Sequence, residues 1–81
     1  MSMKVPRDVN ASDLIRLLER LGYTVVRQTG SHIRLTKTLA DGEHTITVPN
    51  HKPIKIGTLH GIAKDVCLQN NIELKNFYDC L

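Results

Sequence analysis

The sequence predicts an α+β fold, a three-stranded antiparallel sheet with its helices on one face. Three observations carry this. An apolar stripe at helical spacing, Leu14, Ile15, Leu17, Leu18 and Leu21, comes first in the chain. Short β-branched or alternating segments follow, divided by Thr29-Gly30-Ser31 and by Asp41-Gly42. Two more segments of helical periodicity, one around Leu59 to Val66 and one from Leu74 to Leu81, come last. Alternating strands present one polar and one apolar face, and the helices must cover the apolar one.

Each element has its own signal. Met1 to Val9, with Pro6 and mixed charge, reads as a loose lead-in to a single domain spanning residues 1–81. Asn10 suits an N-cap, and Asp13 three residues on can reach back to the positive helix end. Gly22 supplies a left-handed stop, so the first helix is predicted over about Ala11 to Leu21. Tyr23 to Gln28 reads as a strand and Thr29-Gly30-Ser31 as a turn. His32 to Thr38 alternates, with Ile33 and Leu35 on one face and His32, Arg34, Thr36 and Thr38 on the other. Asp41-Gly42 predicts a two-residue hairpin turn with positive φ at both positions. Ala40 then pairs with Glu43, Leu35 with Val48, Thr36 with Thr47 and Thr38 with Thr45. Extended past Pro49, this register brings His51 opposite His32. Pro49 to Gly57 reads as a loop, and Thr58 as the cap of a second helix buried through Leu59, Ile62, Ala63 and Val66. Asn70 or Asn71 ends that helix in a left-handed turn. Leu74, Phe77, Tyr78 and Leu81 mark a final short helix.

Composition narrows the function. With 81 residues there is no room for a second core. Eleven Lys and Arg against eight Asp and Glu leave a net charge of +3, which favours an anionic partner, nucleic acid or an acidic protein. Aromatic residues are 4% with no Trp, which argues against a base-stacking platform. No apolar run approaches the ~20 residues of a membrane span. Met1 to Asn10 carries no apolar signal core, so the cytoplasm is the expected address. Cys67 and Cys80 make no CxxC pair and read as free thiols, and His32, His44, His51 and His60 have no metal-ligand spacing. Neither a metal nor another cofactor is expected.

The chemistry-bearing residues gather on the polar face of the sheet. His32, Arg34, Thr36, Thr45 and Thr47 share it, with His51 as a candidate neighbour. Lys37 is adjacent in sequence but of the other parity, and Lys52 and Lys55 crowd the following loop. Any one of these is also what an ordinary solvated strand face carries. The combination is more pointed, because His32 directly follows Gly30 and Ser31, where backbone can approach a ligand closely. An imidazole can take and give a proton near neutrality. RNA brings its own nucleophile, the 2′-hydroxyl, and needs only proton transfer and a held phosphate. The acids are scattered, with no paired-carboxylate arrangement for two-metal chemistry.

The motifs also carry a resemblance. Leu14-Ile15 and Leu17-Leu18 before Gly22-Tyr23, then Arg27-Gln28-Thr29-Gly30-Ser31-His32, Thr47-Val48-Pro49-Asn50-His51 and Gly57-Thr58-Leu59 follow one another in order. In this the chain resembles the HicA-type mRNA interferase toxins, the YcfA-like family of type II toxin–antitoxin pairs, over roughly residues 12 to 77. The resemblance implies a double-stranded-RNA-binding-like α-β-β-β-α fold, ribosome-independent cleavage of single-stranded mRNA, and a HicB-type antitoxin that covers the active face. It implies His32 as the catalytic residue. Ser31 and His51 are candidates to assist it, Gly30 is a backbone requirement of the turn, and Arg34, Lys37, Lys52 and Lys55 are candidate phosphate contacts. The sequence departs from the family in a longer N-terminus and in Asn70-Asn71, where a glycine is common. Two other readings stand beside the nuclease: a non-catalytic RNA-binding module of the same fold, and a module whose basic face meets an acidic protein.

Overall fold

The computed structural model describes residues 4–81, so the first three positions of the expected lead-in lie outside the described residues. Helix α1 (Ala11–Arg20) leads into β1 (Thr24–Thr29), β2 (His32–Leu39) and β3 (Gly42–Pro49), followed by α2 (Ile56–Asn70) and α3 (Leu74–Asp79). The sheet is antiparallel in the order β1-β2-β3. This is the predicted α+β architecture. Its core is one cluster of apolar side chains between the sheet and the helices.

The α1 stripe works as its spacing predicts. Leu14, Leu17 and Leu18 are buried, and the Asn10 backbone N–H donates to Asp13 Oδ2 at 3.0 Å. Ile33 and Leu35 on β2 and Ile46 and Val48 on β3 meet Leu59, Ala63 and Val66 of α2 in the core. The lead-in is tied down more than its composition suggests. Val9 is buried, and its carbonyl accepts the Ile54 N–H at 2.8 Å. Ile54 is buried too, which pins the β3–α2 connection, and α2 starts at Ile56, two residues before the expected Thr58 cap. Asn71, at φ 54° and ψ 49°, ends α2 in the left-handed turn.

The β2–β3 register differs from the expected one by two residues. Leu39 pairs with Gly42, Leu35 with Ile46, Thr36 with Thr45 and His32 with Pro49. The reason is the turn. Ala40 and Asp41 are its central residues, Asp41 has no positive φ, and Gly42 alone takes one, at 135°. Left-handed backbone is costly with a Cβ and cheap without, so the chain gives it to the glycine only. A slip of two keeps every side chain on its face, which is why the polar and apolar faces are as expected.

A polar network sits on the helix side of the sheet. Asn70 Nδ2 donates to the Tyr23 hydroxyl oxygen at 2.9 Å, and the same hydroxyl shares a hydrogen bond with His44 Nδ1, 2.6 Å away. His44 Nε2 stands 3.2 Å from Asp65 Oδ2 and is buried with no hydrogen-bond partner. Burial pushes the Tyr23 hydroxyl above its ordinary pKa, the Asn70 hydrogen bond opposes this, and the Asp65 charge adds to it. Burial raises Tyr78 as well. A tyrosine raised in the folded state stays neutral while the unfolded chain ionises. Its stabilisation is therefore complete below about 10, the ordinary value, and is lost as pH rises through the higher folded-state value. Thermal melts should fall above about pH 10, and Tyr23→Phe should flatten that alkaline limb; an unchanged limb would count against this account.

Candidate active site

Residues Gly30 and Ser31 close the β1–β2 hairpin, with Gly30 at φ 56°. Thr29 and His32 form the pair that flanks this turn. Ser31 stabilises it through its backbone, since its carbonyl accepts the Asn50 N–H. His32 is thereby fixed at the start of the central strand, between Thr29 on β1 and Pro49 on β3, with its side chain exposed on the polar face.

On that face lies a pocket of about 270 Å³ lined by Arg27, Thr29, His32, Arg34 and Thr47. Arg34 stands two residues after His32 and pairs with Arg27 on one side and Thr47 on the other. His32, Arg34 and Thr47 belong together by the alternation of β2 and β3. Arg27 and Thr29 do not follow from alternation along β1. Tyr23 is buried against the helices, and strict alternation from it puts residues 25, 27 and 29 on the same side. A β-bulge between Val25 and Arg27 breaks that parity. Val25 opposes Leu35, Val26 is the extra residue and is 55% exposed, and Arg27 emerges on the pocket face.

The remaining sequence candidates are placed elsewhere. Lys37 lies on the helix side, where its Nζ donates to Asn70 Oδ1 at 2.6 Å and stands 5.8 Å from the centre of the Tyr23 ring. It is not brought together with His32. With the corrected register His51 lies beyond the end of the β2–β3 ladder and does not line the pocket. Its carbonyl accepts the first N–H of α1, from Ala11, at 3.2 Å. Lys52 and Lys55 are exposed in the segment that leaves β3 at the Gly30–Ser31 end of the sheet, outside the pocket lining. The residues that sequence reasoning missed are Arg27 and Thr29. The Gly30–Ser31 turn held the signal: counted back from it, Thr29 pairs with His32 and Arg27 with Arg34.

The charge around the pocket is one-sided. The contact at salt-bridge distance among the described residues is His44 with Asp65, on the other side of the sheet, and neither arginine of the pocket has a carboxylate within that distance. Among the described residues no three His, Cys, Asp or Glu side chains cluster as metal ligands. No helix among them is long and apolar enough to cross a membrane.

A comparison with known protein families matches residues 11–68 to the HicA toxin of bacterial toxin–antitoxin systems. The chain belongs to the HicA toxin family. It is the toxin of a toxin–antitoxin pair, and its partner is an antitoxin. The match spans α1, the whole sheet and most of α2, so the pocket of this HicA toxin lies inside the family region, whereas α3 lies beyond it. Among curated proteins and among solved structures nothing matches the chain.

Proposed function

We propose that this HicA toxin is a metal-independent endoribonuclease that cleaves single-stranded mRNA without the ribosome, with His32 moving the proton. The observation that supports this best is an exposed imidazole in one pocket with two guanidinium groups that have no carboxylate to neutralise them. The 2′-oxygen attacks the adjacent phosphorus, the O2′–P bond forms and the P–O5′ bond breaks. The products are a 2′,3′-cyclic phosphate and a free 5′-hydroxyl. His32 accepts the 2′-hydroxyl proton as a base or donates a proton to the leaving 5′-oxygen as an acid. One imidazole can do both in turn, since the proton taken in the first half is the proton needed in the second.

Ser31 holds the turn that aims His32. Lys52, Lys55 and the exposed end of the β3–α2 connection, including His51, extend the positive surface along which flanking nucleotides run. Such contacts give affinity that falls with salt. A HicB-type antitoxin covering this face keeps the toxin silent, and the cytoplasm is where mRNA and antitoxin meet it.

The test uses purified toxin and end-labelled single-stranded RNA, with no ribosomes and with EDTA present. Fragments ending in 2′,3′-cyclic phosphate are expected. Intact RNA with salt-sensitive binding would instead favour the non-catalytic RNA-binding module. Cleavage that appears only when a divalent metal is supplied would overturn the metal-free chemistry.

A further inference from the structure

We propose that Arg27 and Arg34 form one clamp that seats the scissile phosphodiester of single-stranded RNA beside His32; this deepens the nuclease reading and rests on it. The two arginines are direct cross-strand partners on β1 and β2. Like charges placed opposite one another in an antiparallel pair destabilise the sheet. The usual remedy is a carboxylate within reach, and neither arginine has one. The acid on the polar face of the β2–β3 pair, Glu43, stands opposite Thr38 next to the hairpin turn, at the far end from His32. The pair is thus left with a standing repulsion that a bound anion relieves.

The bulge at Val26 adds a second, independent reason. An unbroken strand starting from the buried Tyr23 would turn Arg27 to the helix side. The sheet accepts a local distortion and an exposed valine, and Arg27 reaches the pocket. Distortions of this kind are expected where local regularity yields to function. Guanidinium suits the ligand, because its planar fork offers two parallel N–H donors to the two non-bridging oxygens of a phosphate. The Thr29 and Thr47 hydroxyls flank the arginines, and His32 completes the wall. A phosphate held between the two forks lies in the same pocket as the imidazole, and the charge that builds on its oxygens during attack meets donors already in place.

The test separates seating from cutting. The probe is a fluorescent 2′-O-methyl oligoribonucleotide, which has no free 2′-hydroxyl and cannot be cleaved. Wild type and His32→Ala should bind it alike. Arg27→Gln and Arg34→Gln should each weaken binding about tenfold or more at fixed ionic strength, in line with loss of a charged hydrogen bond. Arg16→Gln, which removes the same charge from the exposed side of α1, should change it by less than about twofold. Without oligonucleotide, the melting temperature of Arg27→Gln should equal or exceed that of wild type, because the repulsion is gone. Equal binding by wild type and the two pocket variants would overturn the clamp, as would an Arg16→Gln loss as large as theirs. A His32→Ala protein that still cuts RNA would sink the catalytic reading and leave the binding result standing.

Discussion

Replacing His32 by alanine is expected to reduce RNA cleavage to background while leaving the folded protein almost untouched. The imidazole is exposed at the first position of β2, and the core residues beside it, Ile33 and Leu35, point the other way. Surface substitutions of this sort usually stay within about 0.5 kcal/mol. The expected cost is therefore in rate. A positioned general acid or base is worth roughly 10²–10⁴-fold. Arg27, Arg34 and the rest of the pocket lining remain in the variant, so RNA should still bind. His32→Gln sharpens the point, because an amide can hydrogen-bond but cannot carry a proton between two oxygens. Both variants should melt with wild type by circular dichroism and both should leave labelled RNA intact. Cleavage within a few-fold of wild type by either one would remove His32 from the chemistry.

Much of the fold is legible in the sequence. The α1 stripe, the two hairpins and the polar and apolar faces of β2 and β3 are written in period and turn chemistry, and residues such as Leu14, Leu35 and Val48 fall where their spacing puts them. Two features are not. The Asp41-Gly42 pair reads as a turn with two left-handed residues, and the chain uses only the glycine that way, which moves the register by two. That shift leaves the faces intact but carries His51 off the ladder, away from the partner position opposite His32. The bulge at Val26 is the larger omission. Period-two reasoning assumes one residue per step, so it assigns Arg27 to the side of Tyr23. The extra residue becomes visible only when the buried Tyr23 and the Gly30–Ser31 turn are both required to hold at once. Lys37 shows the opposite failing. A cation close in sequence to the site suggests a phosphate contact, but parity sends it to the helix side, where Asn70 and the Tyr23 ring receive it.

Replacing Phe77 by alanine is expected to cost most of the stability of the protein, although it lies outside the region shared with the family. Helix α3 has only six residues, far fewer than a helix needs to persist alone in water. Its order must come from what it buries. Phe77 is among the largest fully buried side chains, packed edge-on against Tyr78 with ring centres 6.0 Å apart. Tyr78 is buried beside it, and its hydroxyl hydrogen-bonds His60 Nδ1 of α2 at 2.6 Å. Removing the Phe77 ring leaves a cavity between helices that cannot close without undoing this contact. Phenylalanine-to-alanine changes in cores cost about 3–5 kcal/mol. At roughly 0.05–0.15 kcal/mol per residue, a chain of this length has only about 4–12 kcal/mol in total. In a domain of this size each kcal/mol lowers the melting temperature by about 4–8 °C, so the midpoint should fall by tens of degrees. Phe77 packs on the helix side of the sheet, with no part in the pocket lining. RNA cleavage at low temperature should therefore track the folded fraction measured by circular dichroism. A midpoint lowered by only a few degrees would mean that α3 is an appendage and that the domain closes its core without it.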